Sequence, residues 1–419
     1  MVNIREAMIP SPDGISGAVV QVPEQAEIFP LMKMEERLEV LKECGRRGWV
    51  YKVGSMPNIP GFVKGEGMEY ARNVFENYLV PELEKTGVMT VAQKAGADEG
   101  IGMNQEPNYH PDEGLIMDGS TIIIKPGMTA EEVEGKIAGE LDFHPGALPM
   151  WQIIQENADL LKKKNIQVLK TQLTSTNCAR FHLSPEVGQI QDTIMSSMSL
   201  THLSKAARIA PVVCVSLDNP NADVLEGLRH DMEVMLGMSW DDGGTVADRG
   251  LLDALNIVPA LHSCEIYEMP WAMKLGIGLV HGDFAKIDPG KLLRGDTDII
   301  RNFISGNGLI GVGVIPQSGV SQKMLAEEMG ILIGSGKDSE ERLVEDLRGR
   351  HQEVVEKIIS KYQGAVDYVS RVTGLDGKTV RDQCLLSYTC GFGGNKSIEV
   401  SRYALELADE ISDLLRGVN

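Results

Sequence analysis

After about residue 160 the chain alternates short apolar runs with longer stretches of helical periodicity. The apolar runs are NIQVLKTQL, APVVCVSLDN, NIVPALHSCE, GIGLVHGDF, GLIGVGVIPQ and CLLSYTCGFGG, and helical stretches such as ADVLEGLRHDMEVML follow them. Strands that read as continuous apolar runs, each followed by a helix, predict a parallel sheet covered on both faces. With GWVYKVGSMPN near residue 50, the pattern gives seven such strands.

This pattern predicts an α/β protein with the (β/α)8 TIM-barrel fold, provided that one more strand is present. We place the eighth strand between residues 120 and 144, in STIIIKPG or AGELDFHPG. A doubly wound open sheet is the competing fold. Its dinucleotide-binding form loses support because no G-x-G-x-x-G follows the first strand.

The remaining segments suggest additions to the barrel. Residues 1–45 are predicted to be an N-terminal extension that packs outside it, and residues 46–419 form the catalytic barrel domain. Within that domain, residues 60–145 are rich in Gly, Pro, Asn and Asp, which is typical of a lid or an arm. Residues 320–380 are predicted to be a charged helical insertion, which we interpret first as an exposed helical face.

Charge and hydropathy exclude two classes of partner. The chain of 419 residues has 60 acidic and 40 basic residues and a formal net charge of −20. This balance argues against binding the phosphate backbone of nucleic acids and against adhesion to anionic membranes. The start of the chain lacks the apolar core of a signal peptide, and no window approaches 18 uninterrupted apolar residues. We therefore expect a cytoplasmic protein.

The cysteines are too few for a disulfide framework, with six in 419 residues, and a cytosolic protein keeps them reduced. Reduced thiols are either buried as small hydrophobes or used in chemistry. We expect packing roles for Cys44, Cys178, Cys214 and Cys384.

Polar residues follow the predicted strands, and in a (β/α) barrel the carboxyl ends of the strands meet at one mouth. His262 and Cys264 are two positions apart, so a strand would project both side chains from one face. Such a pair fits packing, half of a disulfide or two ligands of a zinc site, since Zn²⁺ prefers tetrahedral N/S ligation. The other candidates at strand ends are Gly54, Ser55, Thr174, Ser175, Thr176, Asn177, Asp218, Asn219, His281, Asp283, Gln317, Tyr388 and Cys390.

Four short stretches, in the correct order, resemble the catalytic barrel of the cobalamin-independent methionine synthase family. ALHSCEIYEMPWAMKLGIGLVHGDFA resembles the zinc strand of that family, and YTCGFGGNK resembles its last-strand motif, in which a Cys-Gly pair supplies a thiolate. VVCVSLDNPN resembles the strand whose carboxylate holds the amino group of homocysteine, and YKVGSMPN resembles the opening Gly-Ser strand. The resemblance covers residues 48–58 and 165–400.

Carried over residue by residue, the resemblance implies a zinc site and a substrate site. The zinc ligands would be His262, Cys264, Cys390 and Asp283, whereas Ser55 and Asp218 would contact the substrate. The acidic ligand of the family is normally Glu, and the interval to Asp283 is shortened, so His281 is an alternative ligand. The usual Asp-Cys-Gly is Thr-Cys-Gly here, and the chain is too short to include the folate-binding half.

The resemblance implies a zinc-dependent methyltransferase that methylates a thiol, with homocysteine giving methionine as the leading candidate. It leaves the methyl donor open between a folate or pterin and a corrinoid protein. The alternatives are a corrinoid-linked or coenzyme M alkyltransferase, and a metal-free barrel of the uroporphyrinogen decarboxylase type. A sulfonate would need Arg or Lys near the mouth, and the strand ends carry little basic character, which favours an amino-acid thiol.

Overall fold

The structure is a computed structural model that describes residues 4–9, 18–23, 29–52, 67–91, 109–138, 141, 149–176, 183–218, 225–241, 244, 246–262, 269–331, 339–390 and 397–417. Its strands are β1 Ile4–Ile9, β2 Ala18–Pro23, β3 Val88–Thr90, β4 Leu115–Asp118, β5 Thr121–Ile124, β6 Val168–Thr174, β7 Val212–Asp218, β8 Ser239–Trp240, β9 Val246–Asp248, β10 Ile257–His262, β11 Leu279–Asp283, β12 Leu309–Ile315 and β13 Cys384–Tyr388.

The first nine helices are α1 Met34–Arg46, α2 Gly67–Val74, α3 Val80–Thr86, α4 Ala130–Ile137, α5 Pro149–Glu156, α6 Ala158–Lys163, α7 Pro185–Gln189, α8 Gln191–Ala207 and α9 Leu225–Leu236, with a π-helical turn at Phe75–Leu79. The other helices are α10 Leu251–Ala254, α11 Met269–Lys274, α12 Pro289–Leu292, α13 Thr297–Ser305, α14 Gly319–Glu328, α15 Ser339–Gly349, α16 His351–Thr373, α17 Gly377–Asp382 and α18 Ile398–Arg416.

A seven-stranded parallel sheet in the order β13-β12-β11-β10-β7-β6-β3 forms the wall of the barrel. Tyr51 extends this order, because it forms a parallel bridge with Ser387 on β13. The first strand position therefore lies beside the last, as a closed (β/α)8 barrel requires. The predicted α/β TIM-barrel fold class is confirmed.

The predicted position of the eighth strand is wrong. That strand is β3, which pairs in parallel with β6 and has only three residues. Such a short run gives no periodicity from which it could be recognised. STIIIKPG instead contributes β5 to an antiparallel hairpin with β4, and AGELDFHPG lies outside the described residues except for positions 138 and 141.

Helix α1 of the N-terminal extension closes one end of the barrel. Its side chains Leu38 and Leu41 are buried in one cluster with the residues that the strands turn inward near their amino ends. The guanidinium of Arg37 fixes this helix, since it donates to the carbonyl oxygens of Leu252 and Ile257 at 2.7 and 3.0 Å. Apolar side chains fill this end of the barrel. Polar functional residues are therefore expected at the opposite mouth. The strand residues of the cluster are Val88, Val168, Val212, Cys214, Val258, Ala260, Leu279, Leu309 and Leu385.

Where the structure describes the segment 320–380, at residues 320–331 and 339–380, it is largely helical and amphipathic. Helix α16 buries one face, which includes Val354, Ile358 and Val366, and packs against β12. Its charged residues lie on the other side of the helix. Among the helices that the structure describes, none is long and apolar enough to cross a bilayer.

Candidate metal centre

Two histidines occupy neighbouring positions on the inner face of the barrel wall. His262 ends β10 and pairs in register with His281 on β11. Both side chains are buried, each with 1% exposure, and their ring centroids lie 4.8 Å apart. The neighbouring strand leaves room for the His281 ring, because a Cβ at Gly313 would lie 2.9 Å from its Nε2 atom.

A chain of hydrogen bonds determines how these rings are protonated. Nε2 of His281 lies 2.9 Å from the carbonyl oxygen of Tyr388, which can only accept, so Nε2 carries the proton. Nδ1 of the neutral His281 ring must then accept, and Nδ1 of His262 donates to it over 2.7 Å. Nε2 of His262 is left with its lone pair, which is the form of imidazole that binds metals.

Burial keeps both rings neutral. Desolvation lowers the pKa of His262 well below its usual value, and the charges of His281 and Lys170 act in the same direction. Desolvation also lowers the pKa of His281 to about 3, against the opposing effect of its hydrogen bond to Tyr388. The ring of His262 is thus neutral at physiological pH, and its Nε2 is available for coordination.

Cys390 faces the lone pair of His262. Its Sγ atom lies 3.6 Å from Nε2 of His262, although 128 residues separate the two in sequence. The turn that presents Cys390 is held by Thr389, whose N–H donates to the carbonyl oxygen of Ile315 at 3.0 Å and whose hydroxyl donates to Gln317. The predicted convergence of strand ends brings these two candidate ligands together.

The pair fits zinc. Bond lengths of about 2.0–2.1 Å to nitrogen and about 2.3 Å to sulfur, at a tetrahedral angle, place the two ligand atoms about 3.5 Å apart. The observed separation of 3.6 Å between Sγ of Cys390 and Nε2 of His262 matches this edge. A metal-binding histidine usually donates its other ring N–H to a partner that orients the ring. The hydrogen bond from Nδ1 of His262 to His281 is such a contact.

The other predicted ligands are placed as follows. Cys264 lies outside the described residues. Asp283 lies beyond His281 on β11, where its Oδ1 accepts from the backbone N–H of Lys286 at 2.9 Å, and burial raises its pKa to about 6. In the part of the chain that the structure describes, no group of three or more His, Cys, Asp or Glu residues could hold a metal. His262 and Cys390 are thus two candidate ligands that lie together, and no third ligand lies beside them among the described residues.

The predicted substrate residues fall at the edge of the described structure. Ser55 lies outside it. The backbone of Asp218 pairs with that of His262, and its side chain lies outside the described part.

A lysine inside the barrel was not among the residues predicted from the sequence. Lys170 is fully buried on β6, on the inner face that it shares with Val168. Its ammonium lies 5.8 Å from the centroid of the Tyr51 ring, and the Tyr51 ring lies 5.6 Å from that of His281. The signal was the positive charge of Lys170 within the predicted strand NIQVLKTQL, but Lys170 lies four residues before the strand end at Thr174, and the candidates came from the strand ends.

A second missed residue, Asp231 on α9, anchors the end of β6. Its Oδ1 accepts from both the N–H and the hydroxyl of Thr176, at 2.8 and 2.6 Å. Gln191 completes the anchor by donating to the carbonyl oxygen of Thr176 at 2.7 Å. Every polar group of Thr176 is engaged, so this residue holds the mouth in shape.

The remaining cysteines behave as predicted where they are described. Cys44, Cys214 and Cys384 are buried and form no disulfide, and burial raises the pKa of each thiol to about 12. Cys390 is the one partly exposed thiol among the described residues. Cys178 lies outside them.

Two proteins are among the solved structures that are similar to this one. The first is a B12-independent methionine synthase from a Shewanella species, with 10% identity, a TM-score of 0.46 and coverage of 88% of this chain and 97% of that one. The second is a methyltransferase from Methanosarcina mazei, with 11% identity, a TM-score of 0.42 and coverage of 90% and 99%. The first name is that of the family whose motifs the sequence resembles. At these identities and TM-scores, neither likeness identifies the reaction of this chain.

No protein-family model matches the sequence, and no curated protein matches it.

Proposed function

We propose that this protein is a zinc-dependent methyltransferase that transfers a methyl group to the sulfur of a small thiol. The observation that supports it most directly is the 3.6 Å separation between Sγ of Cys390 and Nε2 of His262, at the carboxyl ends of their strands. His262 and Cys390 would hold the metal, and Cys264 is the predicted third ligand. Zinc bound there would supply a Lewis acid at which a substrate thiol ionises to a thiolate.

The residues of the chain provide position and charge rather than proton transfer. His281 fixes the ring of His262 through the 2.7 Å bond between their Nδ1 atoms. The ammonium of Lys170 adds a positive charge inside the barrel, where the low dielectric makes it favourable for an anionic sulfur. No general base is required once the thiol is ionised.

Lys170 also bears on the substrate. The little basic character of the strand ends favoured an amino-acid thiol, and Lys170 weakens that reason because it places a cation inside the barrel, four residues before the end of β6. Homocysteine and coenzyme M both carry an anionic group, a carboxylate and a sulfonate respectively. Homocysteine remains the first candidate since Asp218, whose backbone pairs with that of His262, suits an amino group.

Metal content tests the proposal. We expect about one zinc per chain in the purified protein and its loss in Cys390→Ala. Cys384→Ala is the matched control, because Cys384 begins the strand that Cys390 follows and is buried; this variant should keep its zinc. Zinc that is retained in Cys390→Ala would refute the ligand assignment.

Methyl transfer is then measured with each thiol and each class of donor. Homocysteine and coenzyme M are combined separately with a methylated folate and with a methylated corrinoid. Methylation of either thiol by wild type, lost in Cys390→Ala and kept in Cys384→Ala, would support the proposal. A zinc-free wild-type protein would favour the decarboxylase-type barrel instead.

A further inference from the structure

A cavity lies outside the barrel wall, on the side away from the two histidines. It has a volume of about 280 Å³ and lies between helices α3 and α18. Its apolar lining comes from Val50, Pro81, Leu405 and Ala408. A volume near 300 Å³ is at the lower end of the range for ligand sites, which fits a small metabolite.

The charges that line this cavity balance each other. Nζ of Lys52 lies 2.6 Å from Oε2 of Glu82, and these side chains are only 7% and 15% exposed. Nζ of Lys85 lies 3.4 Å from Oδ1 of Asp409, and this pair is exposed. The ammonium of Lys52 has three donor hydrogens and the carboxylate of Glu82 has two oxygens, so each can accept a further charged partner while keeping the other. A ligand that carries both an anion and a cation can therefore bind to this pair without leaving a buried charge unpaired.

The same cavity touches the strand that carries Cys390. The side chain of Tyr388 lines it, whereas the carbonyl oxygen of Tyr388 accepts from Nε2 of His281 at 2.9 Å. A ligand against this ring would contact a residue that also holds the candidate metal centre.

We propose that the cavity lined by Lys52, Glu82 and Leu405 is a binding site for a small zwitterion of the aliphatic α-amino-acid class. The carboxylate of the ligand would pair with the ammonium of Lys52, and its ammonium would pair with Glu82. The aliphatic side chain would lie against Leu405 and Pro81. This site is separate from the methyl-transfer centre and needs neither zinc nor a thiol.

Calorimetric titration of the full-length protein with L-leucine tests this site, because leucine has no sulfur. We expect one leucine per chain. The two matched probes are 4-methylpentanoate, which lacks the ammonium, and isoamylamine, which lacks the carboxylate. Each should bind at least about tenfold more weakly, since each loses one charge-assisted contact.

Two variants locate the binding. Leu405→Trp fills the cavity and should abolish the leucine signal, whereas Arg402→Trp adds the same side chain at an exposed position of the same helix and should retain it. If Leu405→Trp fails to fold, the double variant Lys52→Met with Glu82→Leu removes both buried charges and should also lose the signal.

Absence of leucine binding to wild type would overturn the proposal, and so would equal binding of the singly charged probes. Binding that survives both cavity variants would overturn it as well. The assay involves no turnover, so its failure leaves the methyltransferase proposal untouched.

Discussion

Nδ1 of His262 and Nδ1 of His281 lie 2.7 Å apart across two paired strands. Only one of these facing nitrogens can carry the shared proton, so the state of His281 decides which nitrogen of His262 is left as an acceptor. The carbonyl oxygen of Tyr388 sets that state by accepting from the far side of His281. His281 is therefore a positioning residue for the candidate metal centre.

Replacing His281 by Phe keeps a ring of similar size and removes the acceptor for His262. We expect the zinc affinity to fall about 10- to 100-fold, as for other lost partners of metal-binding histidines. Competition with a chromophoric chelator measures the zinc dissociation constant. His351→Gln, which changes a histidine on α16 that pairs with Glu410, should leave that constant unchanged. Equal zinc affinity in wild type and His281→Phe would remove His281 from the site.

A methyl group at Gly313 should disturb the same arrangement. A Cβ there would lie 2.5 Å from the carbonyl oxygen of Gly282 and 2.9 Å from Nε2 of His281. We expect Gly313→Ala to lower the free energy of unfolding by about 1–3 kcal/mol, as overpacking does, and to weaken zinc binding. Chemical denaturation and the chelator assay measure these two effects.

The control for this change is Gly364→Ala. A Cβ at Gly364, which lies within helix α16, meets no atom within 4 Å. This variant should be more stable than wild type by about 0.5–1 kcal/mol, because Ala loses less conformational entropy in a helix. A stable Gly313→Ala protein with normal zinc affinity would show that the strand can shift to accept the methyl group.

The resemblance to the cobalamin-independent methionine synthase family implies that His262 and Cys390 are ligands of one metal. From the residues alone, the sequence predicts that their strand ends meet, because the carboxyl ends of parallel strands converge at one mouth. It could not predict the role of His281, which depends on the register of β10 against β11. Register follows from tertiary packing, and two apolar strands carry little local signal for it.

The convergence of strand ends could not identify Lys170 or Asp231, because neither residue lies at a strand end. Lys170 is in the middle of β6 and contributes through burial inside the barrel, while Asp231 is on a helix and acts through Thr176. Strand β3 was missed because three residues, Val88–Thr90, show no period. Long apolar strands and their ends could thus be predicted, whereas contacts made across the fold could not.

Removing the charge of Lys170 should weaken the binding of the thiol substrate rather than the binding of zinc. In Lys170→Met we expect zinc content to remain normal and KM for the thiol to rise about tenfold or more, because an anionic sulfur loses a cation in a low-dielectric interior. Folding should tolerate the change, since a buried charge is replaced by an apolar chain of similar length. Steady-state kinetics and metal analysis measure the two effects.

Lys361→Met is the control for that variant. Lys361 donates to the carbonyl oxygen of Ala285 and to Glu328 on the outside of the barrel, so KM should not change. An unchanged KM in Lys170→Met, or loss of zinc, would assign Lys170 a purely structural role.

The raised pKa of Asp231 predicts how the free energy of unfolding depends on pH. Burial raises its pKa from 3.8 to about 6, against the hydrogen bonds from Thr176 that lower it; the charges of His230 and Asp192 have smaller, opposing effects. Between these two values the folded state binds more protons than the unfolded state, so the contribution of Asp231 to stability falls as pH rises through this window.

The variant Asp231→Asn is neutral at every pH, and its amide oxygen can still accept both bonds from Thr176. We therefore expect it to match wild type below pH 4 and to be more stable above pH 6, by up to about 3 kcal/mol. Denaturant unfolding at pH 4 and pH 8 measures the difference. Asp367→Asn, at an exposed position of α16, should stay within about 0.5 kcal/mol of wild type at both pH values. A less stable Asp231→Asn at pH 8 would mean that the two charge-assisted bonds from Thr176 outweigh the desolvation of the carboxylate.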